Sequence, residues 1–217
     1  MSGIITATNL QTSNIKSATG NASITVADGG TATFSNIPSG IGSAVDIIAN
    51  NTTGVSNTAN IEIDLSTSTN YIYQQVILYG VYGSAAADYQ VTLRTSGGSY
   101  RTSGSDYSWN LVERTTAQDA NGTGGDNAAY MRVNWYSFGD GSTEKSIITM
   151  NFHQVGETGQ YTFLEGTRNG FSNVPNYVTS HFTGAIKHAE AHDKFKITPS
   201  SGNIYVGGYV HYGLRRT

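Results

Sequence analysis

Residues 145–153 have the sequence KSIITMNFH, and this stretch is the clearest indication of the fold class. Apolar residues occupy every second position at Ile148, Met150 and Phe152, and the positions between them are mixed. A period of two places successive side chains on opposite faces of a strand, whereas a helix requires a period near 3.6. The stretch is therefore predicted to be a β-strand with one face in a core.

From residue 59 onward the chain is a series of strand-like segments. Residues 129–136 also alternate, with Met131, Val133 and Trp135 on the face that we expect to be buried. Nearly every gap between strand-like segments contains Gly, Asn, Asp or Ser, which favour turns. Many short strands separated by turns predict an all-β fold, an antiparallel β-sandwich or jelly roll. The ten predicted strands span residues 59–65, 71–82, 89–95, 105–113, 129–136, 145–153, 161–165, 177–186, 194–197 and 204–214.

The composition favours the same fold class and excludes several functions. Gly, Ser, Thr and Asn make up 94 of the 217 residues, and these are neutral or poor helix formers. Only 12% of residues are charged, with a net charge of −3, so the basic surface that nucleic-acid binding needs is missing. The absence of cysteine excludes disulfides and thiolate metal sites. No signal-peptide pattern or stretch of about 20 apolar residues is present, so we expect a soluble protein without membrane insertion.

Residues 1–58 are predicted to form a separate, thin module. Their only charged residues are Lys16, Asp28 and Asp46, and they contain no Tyr or Trp. Residues 22–26 and 31–34 alternate around an Asp-Gly-Gly turn, which predicts a β-hairpin. Residues 38–58, rich in Pro, Gly, Asn and Thr, are interpreted as a linker. The main domain, a β-sandwich knob, is expected over residues 59–217.

Three segments resemble a known group of proteins. They are YQVTLRTSGGSYRTSGSDYSW at 89–109, FKITPSSGNIYVGGYVHYGL at 195–214, and IKSATGNASITVADGG at 15–30. The first two resemble the C-terminal β-sandwich domain of small tail-fibre or decoration proteins on the virions of tailed marine bacteriophages. The third is similar to segments near the N-termini of such fibre proteins.

The resemblance implies a location, an assembly state and partners. It implies a homotrimeric knob on the surface of a phage particle, with residues 1–40 bound to other virion proteins. It also implies contact with the host surface, where glycans are a common target. No catalytic signature accompanies the resemblance, and neither a metal nor a cofactor is expected.

Aromatic and polar residues at predicted turns are the candidate glycan contacts. A flat aromatic ring can stack on the C–H face of a sugar while carboxylate and amide groups bind its hydroxyls. The alternative for each aromatic residue is packing between the sheets, and this is the interpretation we favour for Trp135. Tyr136 belongs to the same set of aromatic residues. The candidate contacts are Tyr100, Tyr107, Trp109, Asp119, Asn121 and Asp126.

Residues 115–127, TTAQDANGTGGDN, are predicted to be the longest polar loop and a surface for binding. The oxygens of Asp119, Asn121, Thr123 and Asp126 could bind calcium, although the spacing is not that of an EF-hand. The alternative is that these residues serve as turn formers.

Two further sets of residues could carry chemistry. The segment HAEAHD at 188–193 offers two imidazoles that could bind zinc on a helix, but a solvated turn before a strand is the favoured interpretation. A glycosidase needs two carboxyl groups about 5–9 Å apart, and the sequence alone does not establish such a pair. We therefore expect a protein that is not an enzyme. The acidic residues considered for that role are Glu113, Glu144, Glu157 and Glu165.

Three functions follow from these observations. The first is a trimeric tail-fibre or receptor-binding protein that contacts the host surface. The second is a capsid decoration or head-fibre protein anchored to the capsid lattice. The third is a free carbohydrate-binding module that belongs to no particle. The partner of residues 1–40 distinguishes the first two, and glycan affinity of the isolated protein distinguishes the third.

Overall fold

The computed structural model describes residues 45–135, 137–172 and 176–216, and the backbone of residues 14–16, 22–26 and 32–34. Of residues 118 and 119 it describes the backbone alone. The described residues form strands and connections without a helix, which confirms the predicted all-β class. Among them, no helix is long and apolar enough to cross a membrane.

The chain divides into two units at residues 43 and 44. In the first unit three short strands, β1 (Asn14–Lys16), β2 (Ala22–Val26) and β3 (Ala32–Phe34), form an antiparallel sheet in the order β1-β2-β3. Ile24 lies opposite Phe34, which confirms the predicted pairing of the hairpin strands. The Asp-Gly-Gly turn between them lies outside the described residues.

The second unit is an antiparallel β-sandwich with a large and a small sheet. In the large sheet the order is β10-β9-β14-β13-β12-β7-β17-β4, and β16 with β5 continues beside the C-terminal end of β7. In the small sheet the order is β11-β8-β15-β6. Jelly-roll connectivity stays a prediction. The strands are β4 (Val45–Asn51), β5 (Val55–Thr58), β6 (Ile61–Asp64), β7 (Tyr71–Gly83), β8 (Tyr89–Thr95), β9 (Tyr107–Thr115), β10 (Gln118–Ala128), β11 (Met131–Arg132), β12 (Ser146–His153), β13 (Phe163–Phe171), β14 (Tyr177–Ile186), β15 (His192–Pro199), β16 (Ile204–Val206) and β17 (Gly208–Arg215).

The hydrophobic core lies between the two sheets. Strand β12 contributes Ile148, Met150 and Phe152, all completely buried, so the predicted apolar face of this strand is confirmed. The ring of Phe152 lies 4.8 Å from the ring of Phe195 on the small sheet, measured between centroids. Packing of this kind buries apolar area from both sheets and fixes which face of each strand points outward.

Two predicted segments differ in the structure. Residues 45–51 and 55–58, expected to be linker, are strands β4 and β5, which pair with β17 and β16. Residues 115–127, expected to be a loop, contain a tight turn and most of β10, which pairs with β9. As the edge strand of the large sheet, β10 has one neighbour, so backbone hydrogen bonds hold it with few apolar side chains.

The predicted strand over residues 129–136 is also shorter than expected. The strand comprises Met131 and Arg132. The Val133 amide still donates to the Tyr89 carbonyl at 3.1 Å, but the Tyr89 amide donates to the side-chain oxygen of Asn134 at 2.6 Å. Val133 is buried as predicted, whereas Trp135 is 42% exposed, so its expected place in the core is wrong. Tyr136 lies outside the described residues.

Candidate functional site

The outer face of the small sheet carries basic and acidic side chains that form ion pairs with one another. Ion pairs join Arg94 to Asp193 at 2.8 Å and Arg132 to Asp88 at 2.7 Å. Lys194 lies between two carboxylates of β6, with Asp64 at 3.0 Å. Such partly exposed pairs contribute little stability individually, but they make this face strongly hydrated. It is poorly suited to binding an uncharged partner.

The opposite side of the sandwich has a different character. We call it the large-sheet face: the outward side chains of β10, β9, β14, β13, β12, β7, β17 and β4. Most of the large hydrophobic side chains that are exposed among the described residues lie there, and a concentration of this kind marks an interaction surface. They are Val45, Ile47, Val112, Ile147, Phe163, Phe171 and Tyr177.

A groove of about 540 Å³ crosses one end of this face. We call it the β9–β10 groove. Asn110 and Thr183 are exposed within it, and Phe163, 45% exposed, lies at the β13 side. Asp126 closes the opposite side. One aromatic ring, amide and hydroxyl groups and a carboxylate therefore surround the same open space, as polar ligands with apolar faces require.

Three glycines on β10 and β14 line this groove, and Gly124 is the one whose missing side chain would point to its outer side. A Cβ atom on Gly125 would lie 2.6 Å from Nε1 of Trp109, and one on Gly124 would lie 2.7 Å from Oδ1 of Asn110. Gly184 on β14 lies opposite Trp109. A Cβ atom there would lie 2.5 Å from Sδ of Met131 and 2.9 Å from the carbonyl oxygen of Ser108. A larger residue at Gly124 would displace Asn110 at the groove, whereas one at Gly125 or Gly184 would press on the core.

Asp126 is held in a fixed position at the end of the groove. Its Oδ1 accepts hydrogen bonds from the hydroxyl of Ser108 and from the ammonium group of Lys187. Lys187 also donates to Oδ1 of Asn127 at 2.9 Å. The Lys187 ammonium first, and then the Ser108 hydroxyl, lower the pKa of Asp126 to about 2. The carboxylate is therefore charged at neutral pH and presents acceptor atoms to the groove.

The structure brings two of the six candidate contacts together. Trp109 and Asp126 both line the groove, but Trp109 is only 8% exposed and its side chain belongs to the hydrophobic core. Asn121 is exposed on β10, but it lies opposite Glu113, several residues along the strand from Asp126. The side chain of Asp119 lies outside the described residues.

The other two candidate aromatics lie elsewhere. Tyr107 is completely buried, so its prediction as a surface contact is wrong. Its hydroxyl accepts a hydrogen bond from the Leu93 amide at 2.8 Å and donates one to the Arg101 carbonyl at 3.0 Å, which ties β9 to β8. Tyr100 is half-buried beside the small sheet, with Nζ of Lys196 4.1 Å from its ring centroid. Burial raises the pKa of Tyr100, and the carboxylate of Glu62 adds to the effect.

The ligand sets considered for metals are separated by the fold. Because β10 is extended, Asn121 and Asp126 are roughly 17 Å apart and do not share a cation. His188 and His192 have different partners: Nε2 of His188 lies 2.8 Å from Oδ1 of Asp106, and Nδ1 of His192 lies 2.9 Å from the Thr162 hydroxyl. Over the described part of the chain, no three His, Asp or Glu side chains converge as a metal site would require.

The four glutamates considered for catalysis each have a different environment. Glu113 is completely buried against Arg168 and Ser180, and Glu165 is exposed beside His153. Glu157 forms an ion pair with Arg216. Glu144 accepts a hydrogen bond from the Gly141 amide.

Several groove residues had no signal in the sequence. Phe163, Thr183 and Asn110 belong to three strands, and their proximity depends on the strand order β9-β14-β13. Alternation shows that a residue faces outward, but it does not show which strand lies beside it.

Comparison with protein-family models finds no match to this sequence, and comparison with curated proteins finds none either. The function therefore has to be argued from the chemistry of the surface itself, since a sandwich fold accommodates many functions.

Proposed function

We propose that this chain is a non-enzymatic structural appendage of a bacteriophage particle, a homotrimeric tail-fibre or receptor-binding protein. In this proposal residues 1–40 bind other virion proteins, and the sandwich of residues 44–216 presents the large-sheet face to glycans of the host surface. The resemblance of residues 15–30, 89–109 and 195–214 to tail-fibre and decoration proteins supports the particle as its location.

The contrast between the two outer faces of the sandwich carries this proposal. The small sheet is covered by ion pairs, whereas the large sheet exposes apolar and aromatic side chains around a polar groove. A monomeric protein without a partner has no physical reason to concentrate exposed apolar residues on one face. The large-sheet face is therefore the surface at which we expect both assembly and recognition.

Assembly is assigned to the end of this face that is most apolar. Val45 and Ile47 lie on the edge strand β4, beside Tyr212 and Leu214 of β17. Burial of such side chains against a second copy supplies a favourable free energy without requiring new charge pairs. Three copies in one fibre would convert weak glycan contacts into firm attachment through a high effective concentration.

The division of the chain into two compact units supports an attachment role for the N-terminal module. The contact boundary lies at residues 43 and 44, so the sandwich has its own core without the first unit. A module so poor in large apolar side chains gains order from a partner more readily than from a core of its own. Residues 1–40 are therefore assigned to the particle.

Localisation on intact particles tests the proposal. We expect immunogold labelling with an antibody against residues 44–216 to decorate the tail, and deletion of residues 1–40 to abolish incorporation while the sandwich remains folded. Label over the whole capsid would instead favour the decoration protein, and the groove would then need another explanation. Absence from every particle would favour the free carbohydrate-binding module, for which the β9–β10 groove is the supporting observation.

A further inference from the structure

We propose that the large-sheet face binds an uncharged polysaccharide as an extended chain that crosses the strands, with several sugar subsites rather than one. The inference rests on the proposed glycan contact of this face, and it names the chemical class and the direction of the ligand. Its path starts in the β9–β10 groove, passes over Phe163 and enters a second groove beyond that ring.

A row of hydrogen-bonding side chains defines this path. Five adjacent strands each contribute one outward polar residue, and the pairing register places these residues directly opposite one another. Adjacent strands are about 4.8 Å apart, so the row is roughly 19 Å long. That length suits an oligosaccharide of several residues. The row is Gln75 on β7, Asn151 on β12, Glu165 on β13, Thr183 on β14 and Asn110 on β9.

A second, parallel row supplies ring surfaces. Tyr73, His153 and Phe163 lie side by side on β7, β12 and β13, with 5.6 Å between the ring centroids of Tyr73 and His153. Phe163 lines both the β9–β10 groove and a second groove of about 490 Å³ that His153 and Glu165 also line. A sugar chain presents C–H faces and hydroxyl edges together, so an aromatic row beside a polar row matches it.

The polar row is partly held in place before any ligand arrives. The side-chain amide of Gln75 donates a hydrogen bond to Oδ1 of Asn151 at 2.8 Å. The Asn151 amide in turn lies 3.5 Å from Oε1 of Glu165, and Nε2 of His153 lies 3.4 Å from the same oxygen. Fixed rotamers reduce the entropy that binding would otherwise cost.

The charges of this region favour a neutral ligand. Asp126 is neutralised by Lys187, and Arg216, which lines the second groove, is paired with Glu157 at 2.5 Å. Glu165, with 55% of its side chain exposed, has the imidazole of His153 at 3.4 Å. A sulfated or uronic-acid polymer would bring like charges to the Glu165 carboxylate. A hydroxyl-rich neutral chain would instead donate hydrogen bonds to it.

The position of the polar row within the sheet argues against a peptide ligand that binds by pairing with the sheet as an additional strand. Strands β12, β13 and β14 each have a neighbour on both sides, so their backbone groups are already hydrogen-bonded. Only side chains remain for recognition there, whereas strand addition needs an open edge.

Chain-length dependence of binding tests the inference. Isothermal titration calorimetry of the full chain would use neutral gluco-, manno- and galacto-oligosaccharides of two, four and six residues, with a polygalacturonic oligomer for charge. We expect at least one neutral series in which the tetramer binds roughly tenfold more tightly than the dimer, and we expect weaker binding of the charged oligomer. Equal affinity for dimer and tetramer, tighter binding of the charged oligomer, or no binding in any series would overturn the inference.

A matched pair of variants locates the path. Phe163 and Phe171 are both exposed on β13, but Phe171 lies at the other end of the strand against Tyr177, outside both grooves. We expect Phe163→Ala to lower the affinity for the tetramer about tenfold and Phe171→Ala to leave it unchanged. Equal effects of the two variants would contradict the proposed path. If the protein binds oligosaccharides through the groove but is absent from particles, only the virion function is refuted. If the protein is found on the tail but binds no oligosaccharide through the groove, only this inference is refuted.

Discussion

A buried ion pair is the most unusual feature at the scale of single residues. Glu113 and Arg168 are both completely buried inside the large sheet, 3.7 Å apart. The guanidinium group lies 3.9 Å from the ring centroid of Phe138 and donates to the Phe171 carbonyl at 2.9 Å. Glu113 was one of the carboxylates considered for catalysis, but these contacts give it a structural role. Burial lowers the pKa of Arg168 to about 10.

Loss of one partner from this pair should be costly. We expect Glu113→Gln to lower the free energy of unfolding by about 3–5 kcal/mol, because a buried guanidinium loses its counter-charge. Urea denaturation followed by circular dichroism measures this change. Glu165→Gln, at an exposed site, should change the free energy of unfolding by less than about 0.5 kcal/mol. Similar losses in both variants would show that the buried pair has no special role.

Two buried histidines should make the sandwich sensitive to acid. Burial lowers the pKa of His192 and of His211 to about 4, from an ordinary value near 6.5. Between these values the unfolded chain binds protons that the folded chain does not, so stability is present above pH 6.5 and falls as the pH is lowered towards 4. The loss should be on the order of 3 kcal/mol for each histidine.

Urea denaturation at pH 7 and at pH 4.5 measures this dependence. His211 donates from Nε2 to the side-chain oxygen of Gln74 at 3.0 Å, and His211→Gln should remove about half of the acid-induced loss. His181→Gln, on the exposed face of β14, should leave the dependence as it is. A stability that is constant between these pH values would contradict the assignment of neutral, buried imidazoles.

At the scale of elements, β12 and β10 show where alternation predicts a strand and where it does not. The alternation of residues 145–153 predicted β12 and its buried face, because one side of that strand packs on the core. Residues 115–127 contain little apolar alternation and were expected to be a loop, yet they form most of a strand held by β9. Edge pairing uses backbone groups, which every residue has, so composition carries no signal for it.

Two glycines of β10 provide a test of this close pairing. We expect Gly125→Ala to lower the free energy of unfolding by about 1–3 kcal/mol, since the new methyl group would overlap the buried indole of Trp109. Gly122→Ala is the control, because its nearest neighbours would be 3.9 Å away. Thermal unfolding compares the two variants. A Gly122→Ala loss as large as that of Gly125→Ala would indicate a general cost of alanine in this strand.

At the scale of the molecule, the sandwich begins earlier than the sequence predicted. Strand β4 pairs with β17 and β5 pairs with β16, so residues 45–58 complete the large sheet. The linker prediction relied on the Pro-Ser-Gly sequence at residues 38–40 and on Asn, Thr and Gly at residues 50–54. In the structure the residues between β4 and β5 form a turn, in which Gly54 has a φ of +72°.

Two truncations distinguish these boundaries. A chain of residues 44–217 should unfold within a few degrees of the full chain, because the whole sandwich core remains. A chain of residues 59–217 lacks β4 and β5 and should have a Tm lower by roughly 10 °C or more, with a tendency to aggregate through the uncovered β17. Circular dichroism and size-exclusion chromatography measure both properties. Equal stability of the two truncations would restore residue 59 as the boundary.

Local alternation was enough to predict the all-β class, the hairpin pairing of β2 with β3 and the core positions of β12, because alternation is a property of each segment alone. The alternation does not show that Trp109, Asp126 and Phe163 line one groove, that Tyr107 is buried or that Trp135 is exposed. These outcomes depend on which strands become neighbours and on where the chain leaves a sheet. Such contacts join residues far apart along the chain, and packing of the whole core selects them.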